Sequence, residues 1–261
     1  MTAAGDVRRR AAVAALILAG ASVAACTGDA ATPAVPSAAQ HDAAALPTGS
    51  QPVDLDPADF TVDITNRWWP MKPGDQWKYE EDDGQGGVQQ VEVTVLDRTR
   101  KVANGIEARV VHDVVSEDGN LVEDTHDWYA QDADGNVWYL GEQTAEYENG
   151  KVASTEGSWE AGVNGAQPGI AIPADPRAGT SYRQEYLKGH AEDDGFILSA
   201  DEKVQVPAGK FTGALLTRDT TPLEPDLVEL KFYAPDVGPV MEVAVSGEAG
   251  RQVLLQSTRT D

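Results

Sequence analysis

The chain has 261 residues, a formal net charge of −23 and a hydrophobic fraction of 41%. This acidity repels phosphate groups, so nucleic acids and anionic head groups are excluded as expected partners, whereas divalent cations and cationic ligands remain open. A single cysteine excludes an internal disulfide framework and any CxxC metal site.

The N-terminal residues have the pattern of a bacterial lipoprotein signal peptide. Three arginines at 8–10 form a positive region, an apolar run follows at 11–21, and VAAC at 23–26 matches a lipobox. The apolar run is shorter than the roughly 20 residues of a spanning helix. We therefore expect cleavage after residues 1–25 and acylation of Cys26, which would attach the protein to a membrane on the extracytoplasmic side of the cell envelope.

A spacer and one folded domain are expected after the signal peptide. Residues 26–58 begin with the acylated cysteine and continue with a stretch rich in Ala, Pro, Thr, Ser and Gly, which predicts a disordered linker. Residues 59–261 have the length of a single antiparallel β domain.

Alternation of apolar and polar residues predicts strands through most of this domain, and no window past residue 60 has a long amphipathic helical pattern. The predicted strands lie near 77–80, 88–97, 106–116, 121–131, 203–207, 214–219, 228–233, 240–245 and 252–257. The fold class is therefore predicted to be all-β, with a strongly curved antiparallel sheet in the form of a half-barrel or barrel-like meander. Such curvature or closure protects the edges of a long sheet.

The stretch at 127–142 predicts the best-defined hairpin. A three-residue loop at 133–135 with left-handed Gly135 sets Asp132 opposite Asn136. The alternative two-residue loop would mix aromatic and polar side chains on both faces, because a slip of one residue moves every side chain to the other face. With the three-residue loop, one face carries Trp128, Ala130, Trp138 and Leu140, and the other carries Asp127, Tyr129, Gln131, Val137 and Tyr139.

Three ordered motifs resemble a known family. They are WPMKPGDQWKY at 69–79, VPAGKF at 206–211 and YAPDVGPV at 233–240. Together they resemble the TapB-like group of secreted bacterial lipoproteins. The resemblance implies a curved antiparallel sheet of the same general kind as the lipoprotein carriers with half-barrel folds, and it implies no catalytic residue.

The hairpin before 127–142 predicts a candidate metal site. If Ser116 lies opposite Asn120, then His112 lies opposite Asp124, and His126 shares their face. Two histidines and one carboxylate form a donor set for transition metals, so a divalent cation is the one cofactor left open. The alternative interpretation is a histidine hydrogen-bonded to a neighbouring carboxylate on a half-buried sheet.

The segment at 154–189 has no periodicity and predicts one long loop that packs over an opening of the sheet, because its apolar residues are too many for disorder. Large aromatic and charged residues in and beside this loop are candidates for ligand contacts. These candidates are Trp159, Glu160, Arg183, Glu185, Tyr186 and His190.

These features favour a non-enzymatic binding or structural protein of the envelope, with a small molecule, lipid or protein as its unidentified ligand. A hydrolase of an envelope glycan, with paired carboxylates such as Glu160 and Glu185, is one alternative. A carrier of lipid or lipoprotein is another, by analogy of fold. Catalysis is not expected, because no nucleophile elbow, HExxH motif or phosphate-binding loop accompanies the carboxylates.

Overall fold

A computed structural model describes residues 45–82, 84, 86–247 and 249–260. The predicted signal peptide, Cys26 and the linker up to residue 44 lie outside the described residues. Within the described part, no helix has both the length and the apolar character needed to cross a membrane.

The described chain contains one short 3-10 helix, Pro57–Asp59, and sixteen strands. The strands are β1 (Phe60–Thr61), β2 (Gln76–Asp82), β3 (Val88–Lys101), β4 (Glu107–Glu117), β5 (Asn120–Asp132), β6 (Val137–Glu148), β7 (Lys151–Ser154), β8 (Trp159–Glu160), β9 (Gln167–Ile172), β10 (Ser181–Arg183), β11 (Glu185–Tyr186), β12 (Asp194–Val206), β13 (Gly209–Thr220), β14 (Val228–Ala234), β15 (Gly238–Ser246) and β16 (Gly250–Thr258).

One antiparallel sheet contains all of these strands and curls into a nearly closed barrel. Strands β2 to β6 are consecutive neighbours, β12 to β16 form a second such run, and the pairing of β16 with β2 joins the two runs. The all-β fold with a strongly curved antiparallel sheet is thus confirmed.

The barrel has one seam, at the two ends of the strand order. Strand β10 ends one side through its pairing with β12, and β11 ends the other through its pairing with β9. Only Gln184 separates these two strands along the chain. A side chain on Gly169 would collide with the carbonyl oxygen of Gln184, so glycine permits the close backbone approach at this seam.

The segment at 154–189 packs, as its apolar residues predicted, but it is less irregular than expected. It contributes four short strands, of which β8 and β9 pair with β6. Trp159, Ala161, Ala166 and Ala191 form a small buried cluster beside the main core. Strands of two to six residues are too short to give a clear alternating pattern, so these four strands could not be predicted from the sequence.

The hairpin at 127–142 has the predicted register at its turn. Asp132 N–H donates to the Asn136 carbonyl at 3.0 Å, and Gly135 has a φ of 92°. A bulge between Asp127 and Tyr129 then shifts the pairing by one residue on the side away from the turn.

The residues just before the barrel lie against it. Leu46, Val53 and Leu55 pack on the main core, whose largest fully buried side chains include Trp77 and Leu254. The sequence assigned residues up to 58 to the linker, because this stretch shares the linker's composition and has no periodicity.

Candidate functional site

A partly open cavity of about 390 Å³ lies inside the barrel. Its lining residues come from strands all around the sheet, including β2, β5, β9 and β14, which places the cavity in the interior. Six of the residues that line it carry carboxyl groups, and Lys231 is the one basic residue among the described residues of the lining. The six are Asp113, Asp127, Glu142, Glu185, Asp193 and Glu242.

The inward direction of two of these carboxyl groups follows from strand alternation. Val111 and Asp113 lie two apart on β4, and Asp127 and Tyr129 lie two apart on β5, and all four line the cavity. Asp113 and Asp127 are not among the candidate site residues predicted from the sequence, which lie mainly in or beside the segment at 154–189. An aspartate at an inward position of a strand, between apolar or aromatic inward neighbours, was the signal that could have found them.

Burial changes the protonation of this lining. Burial raises the pKa of Asp127 to about 7, although the Tyr139 hydroxyl, which donates to Asp127 Oδ1 at 2.8 Å, partly offsets the rise. Burial, assisted by neighbouring negative charges, also raises the pKa of Asp113, Glu142 and Glu185 well above the usual range. We call these four carboxyl groups, Asp113, Asp127, Glu142 and Glu185, the acidic wall.

Lys231 belongs to a separate ion cluster. Its Nζ lies 3.3 Å from Asp219 Oδ2, 3.5 Å from Glu242 Oε2 and 3.9 Å from Glu229 Oε2. Burial lowers the pKa of Lys231, but the charges of these three carboxylates outweigh burial and raise it well above its ordinary value. Its positive charge is therefore shared among partners outside the acidic wall.

The acidic wall has no comparable partner. Within the described part of the chain, none of its four carboxyl groups forms an ion pair with a lysine, arginine or histidine. Asp113 Oδ1 is shielded from solvent and has no hydrogen-bond partner among the described residues. A buried oxygen without a donor is costly, so this atom marks a position where a ligand would be stabilised.

Aromatic rings line the same cavity. Tyr129 and Tyr139 stack with centroids 5.0 Å apart, and Trp69 lies 5.3 Å from Tyr129 and 6.3 Å from Tyr233. The faces of such rings attract cations, and the attraction grows when the cation is desolvated.

Arg183, a predicted ligand contact, lies at the seam, where its side chain is bonded to backbone carbonyls. Its guanidinium donates to the Pro168 carbonyl from Nε at 3.2 Å and from Nη2 at 2.8 Å. Nη1 donates to the carbonyls of Gly49 at 2.7 Å and Gln51 at 2.8 Å. Arg183 therefore joins β9 and the N-terminal segment to β10 across the seam.

The two carboxylates predicted as a hydrolase pair are not brought into one site. Glu185 lines the interior cavity. Glu160 forms an ion pair with Arg100 at 2.6 Å and accepts from the Ala103 N–H at 2.7 Å, and the Arg100 guanidinium lies 3.9 Å from the Trp128 ring centroid.

The other predicted ligand contacts lie apart from the cavity lining. Trp159 is buried and packs edge-on against Tyr139, at 5.3 Å, so it supports the aromatic lining from behind. Tyr186 pairs with Gln167 in the ladder between β9 and β11, and His190 is exposed. Glu185 is thus the one predicted ligand contact that is among the residues described as lining the cavity.

The predicted metal triad does converge, but in a different register. His112 lies opposite His126 rather than opposite Asp124, for two reasons. The turn pairs Glu117, not Ser116, with Asn120, and a bulge between Val115 and Ser116 adds a second residue of shift. The total offset is two residues, so all three side chains keep the predicted shared face. Asp124 Oδ1 lies 3.1 Å from His112 Nε2 and 3.4 Å from His126 Nδ1.

No family model matches this sequence, and no curated protein does either. The resemblance to the TapB-like group therefore stays a prediction. Two crystal structures resemble the chain, each over 74% of its length. One is a protein of Bacteroides fragilis inferred to be exported, with a YmcC-like fold, at 16% identity, TM-score 0.45 and 100% coverage of that chain. The other is a protein of Parabacteroides distasonis inferred to be a lipoprotein, at 14% identity, TM-score 0.41 and 99% coverage.

Proposed function

We propose that this chain is a lipid-anchored, extracytoplasmic binding protein that takes up a small organic cation in its interior cavity and performs no catalysis. One observation carries the proposal: six carboxyl groups and one lysine line the cavity, and that lysine is shared with carboxylates outside the acidic wall. The acidic wall therefore has no cationic partner of its own among the described residues, and a ligand that supplies a positive charge there would be stabilised.

The physical reason is the cost of burying like charges together. Carboxylates removed from water either bind protons, which raises their pKa, or are neutralised by a cation. An amine or quaternary ammonium group would place its charge against the acidic wall and its apolar atoms against the aromatic rings. The volume of about 390 Å³ suits a small molecule, for which pockets of about 300–1,000 Å³ are usual.

The same lining disfavours the other two functions considered from the sequence. An acyl chain in this cavity would desolvate carboxyl groups without pairing them, which opposes a lipid carrier. The hydrolase hypothesis rested on Glu160 and Glu185, and Glu160 is paired with Arg100 instead.

Binding of a cation is expected to depend on Asp113. Titration of the purified protein with spermidine and with choline, followed by calorimetry at about pH 8, should give saturable binding of at least one of them. Asp113→Asn should weaken this binding at least about tenfold, since it removes one buried charge-assisted contact. Binding should also weaken toward about pH 6, because protons compete for carboxyl groups whose pKa is raised.

The matched control is Asp118→Asn. Asp118 is exposed at the turn between β4 and β5, so its replacement removes the same charge from the same hairpin without touching the cavity. Succinate, a dianion, should not bind. Equal affinity of the Asp113 and Asp118 variants, or no binding of either cation, would contradict the proposal.

The anchor is tested separately at Cys26. Cys26→Ser should abolish labelling by a fatty-acid probe and move the protein from the membrane fraction to the soluble fraction, because a serine hydroxyl cannot carry the thioether-linked lipid. Thr27→Ser, one residue further on, should leave both labelling and membrane association unchanged. Labelling that persists in the Cys26 variant would exclude this residue as the lipid attachment site.

A further inference from the structure

The outer face of the barrel holds a second cluster of polar side chains, separate from the interior cavity. His112 on β4 and His126 on β5 are directly opposed, and Asp124 lies two residues before His126 on the same face. The two imidazole rings are stacked, with centroids 4.3 Å apart and planes 11° from parallel. Thr94 on β3 and Gln143 on β6 continue this row on either side.

The geometry points to a binding site for one divalent transition-metal ion, such as Zn²⁺, held by His112, Asp124 and His126. This inference goes beyond the proposed uptake of an organic cation, because the triad lies on the opposite face of the sheet from the acidic wall. It is also independent of that proposal, since none of its three side chains lines the interior cavity.

The spacings between the Asp124 carboxylate and the two histidines already suit a metal. With bonds of about 2.0–2.1 Å, two ligands of a tetrahedral Zn²⁺ ion lie about 3.3 Å apart. Asp124 Oδ1 lies 3.1 Å from one histidine nitrogen and 3.4 Å from the other. All three donor atoms lie within 4.8 Å of one another, so turning an imidazole about its side-chain torsions would complete the set.

The chemistry of the donors selects the class of ion. Two imidazole nitrogens and one carboxylate oxygen suit Zn²⁺, Fe²⁺, Co²⁺ or Ni²⁺, whereas Ca²⁺ and Mg²⁺ prefer a shell made of oxygen. The net charge of −23 also favours the approach of cations.

The site is open on one side. The side chains of His112, His126 and Asp124 are 29%, 27% and 33% exposed. Asp124 and His126 form part of the wall of a pocket of about 540 Å³, to which Arg98 and Trp128 also contribute. Three protein ligands beside such a pocket leave a coordination position for water or an added ligand.

Zn²⁺ titration of the full-length protein, after removal of metals with a chelator, tests the site. We expect one Zn²⁺ per chain, and His126→Ala should weaken binding at least about 100-fold, since loss of an outer-shell partner alone costs about 10–100-fold. Substitution with Co²⁺ should give the visible absorption of a four- or five-coordinate ion, and His126→Ala should remove it.

Two control variants separate this site from other acidic or imidazole groups. His190→Ala removes an exposed histidine elsewhere, and Asp113→Asn alters the interior cavity, so both should retain full Zn²⁺ affinity and the Co²⁺ spectrum. Zn²⁺ binding that is absent, or that is equally strong in the His126 variant, would overturn the inference and leave the triad as a hydrogen-bonded group. Loss of Zn²⁺ binding in Asp113→Asn alone would also overturn the inference, because it would show that the ion binds in the interior cavity.

Discussion

Replacement of Arg183 by alanine is expected to lower the free energy of unfolding by about 3–5 kcal/mol, because hydrogen bonds from a charged donor contribute about 1.5–3 kcal/mol each and a buried acceptor left unpaired costs about 1–3 kcal/mol. The Arg183 side chain is almost fully buried, and the Pro168 carbonyl loses both of its donors. The N-terminal segment loses its two hydrogen bonds at Gly49 and Gln51. Denaturant unfolding measures the loss.

Arg177→Ala is the matched control for this effect. Arg177 lies six residues earlier, and its ion pair with Asp175 is solvent-exposed on both sides, with 78% and 71% exposure. Such pairs contribute about 0–1 kcal/mol, so this variant should remain close to the wild type. If the Arg183 and Arg177 variants had the same free energy of unfolding, the Arg183 guanidinium would not stabilise the seam.

The second large effect concerns stability as a function of pH. The pKa of Asp127 is about 7 in the folded protein, against an ordinary value of 3.8, so between these values the folded state binds more protons than the unfolded chain. The free energy of unfolding must therefore fall as pH rises through this window. A difference of about three pKa units corresponds to at most about 4 kcal/mol.

Asp127→Asn should reduce this dependence. Asparagine can still accept the hydrogen bond from Tyr139 and carries no charge, so the variant should exceed the wild type in stability by about 2–4 kcal/mol at about pH 8. At about pH 5 the difference should be small, because Asp127 is then protonated in the folded protein.

Thermal and denaturant unfolding at these two pH values measure the change. Asp118→Asn, an exposed substitution that also removes one negative charge, should leave the wild-type dependence unchanged and so separate the buried group from the net charge. An Asp127 variant that loses as much stability between about pH 5 and about pH 8 as the wild type would contradict the assignment.

The sequence predicted the fold well because its evidence was local. Alternation along β4 and β5 and the Gly135 turn depend on neighbouring residues, and both were confirmed. The pairing of His112 was wrong for two reasons. The turn after β4 is a two-residue loop that pairs Glu117 with Asn120, not the three-residue loop predicted, and the bulge between Val115 and Ser116 depends on packing across strands rather than on a local pattern.

The sequence alone could not predict which residues line the interior cavity together. Glu142 and Glu185 lie on strands β6 and β11, and only closure of the barrel brings both to the lining of one cavity. Arg183 was interpreted as a ligand contact because a charged residue beside a long irregular segment is usually solvated. Its burial arises from the seam, which depends on how the ends of the sheet meet.

The seam also determines how a mechanical load would reach this protein. The backbone N–H of Arg183 donates to the Pro47 carbonyl at 2.7 Å, next to the side-chain bonds to Gly49 and Gln51. Tension on the chain before residue 45 is therefore transmitted to β10, at the edge of the sheet, and not to a strand paired on both sides. Force applied from the N-terminus would therefore act first on the seam, before it reaches the fourteen-residue strand β3, which is paired on both sides.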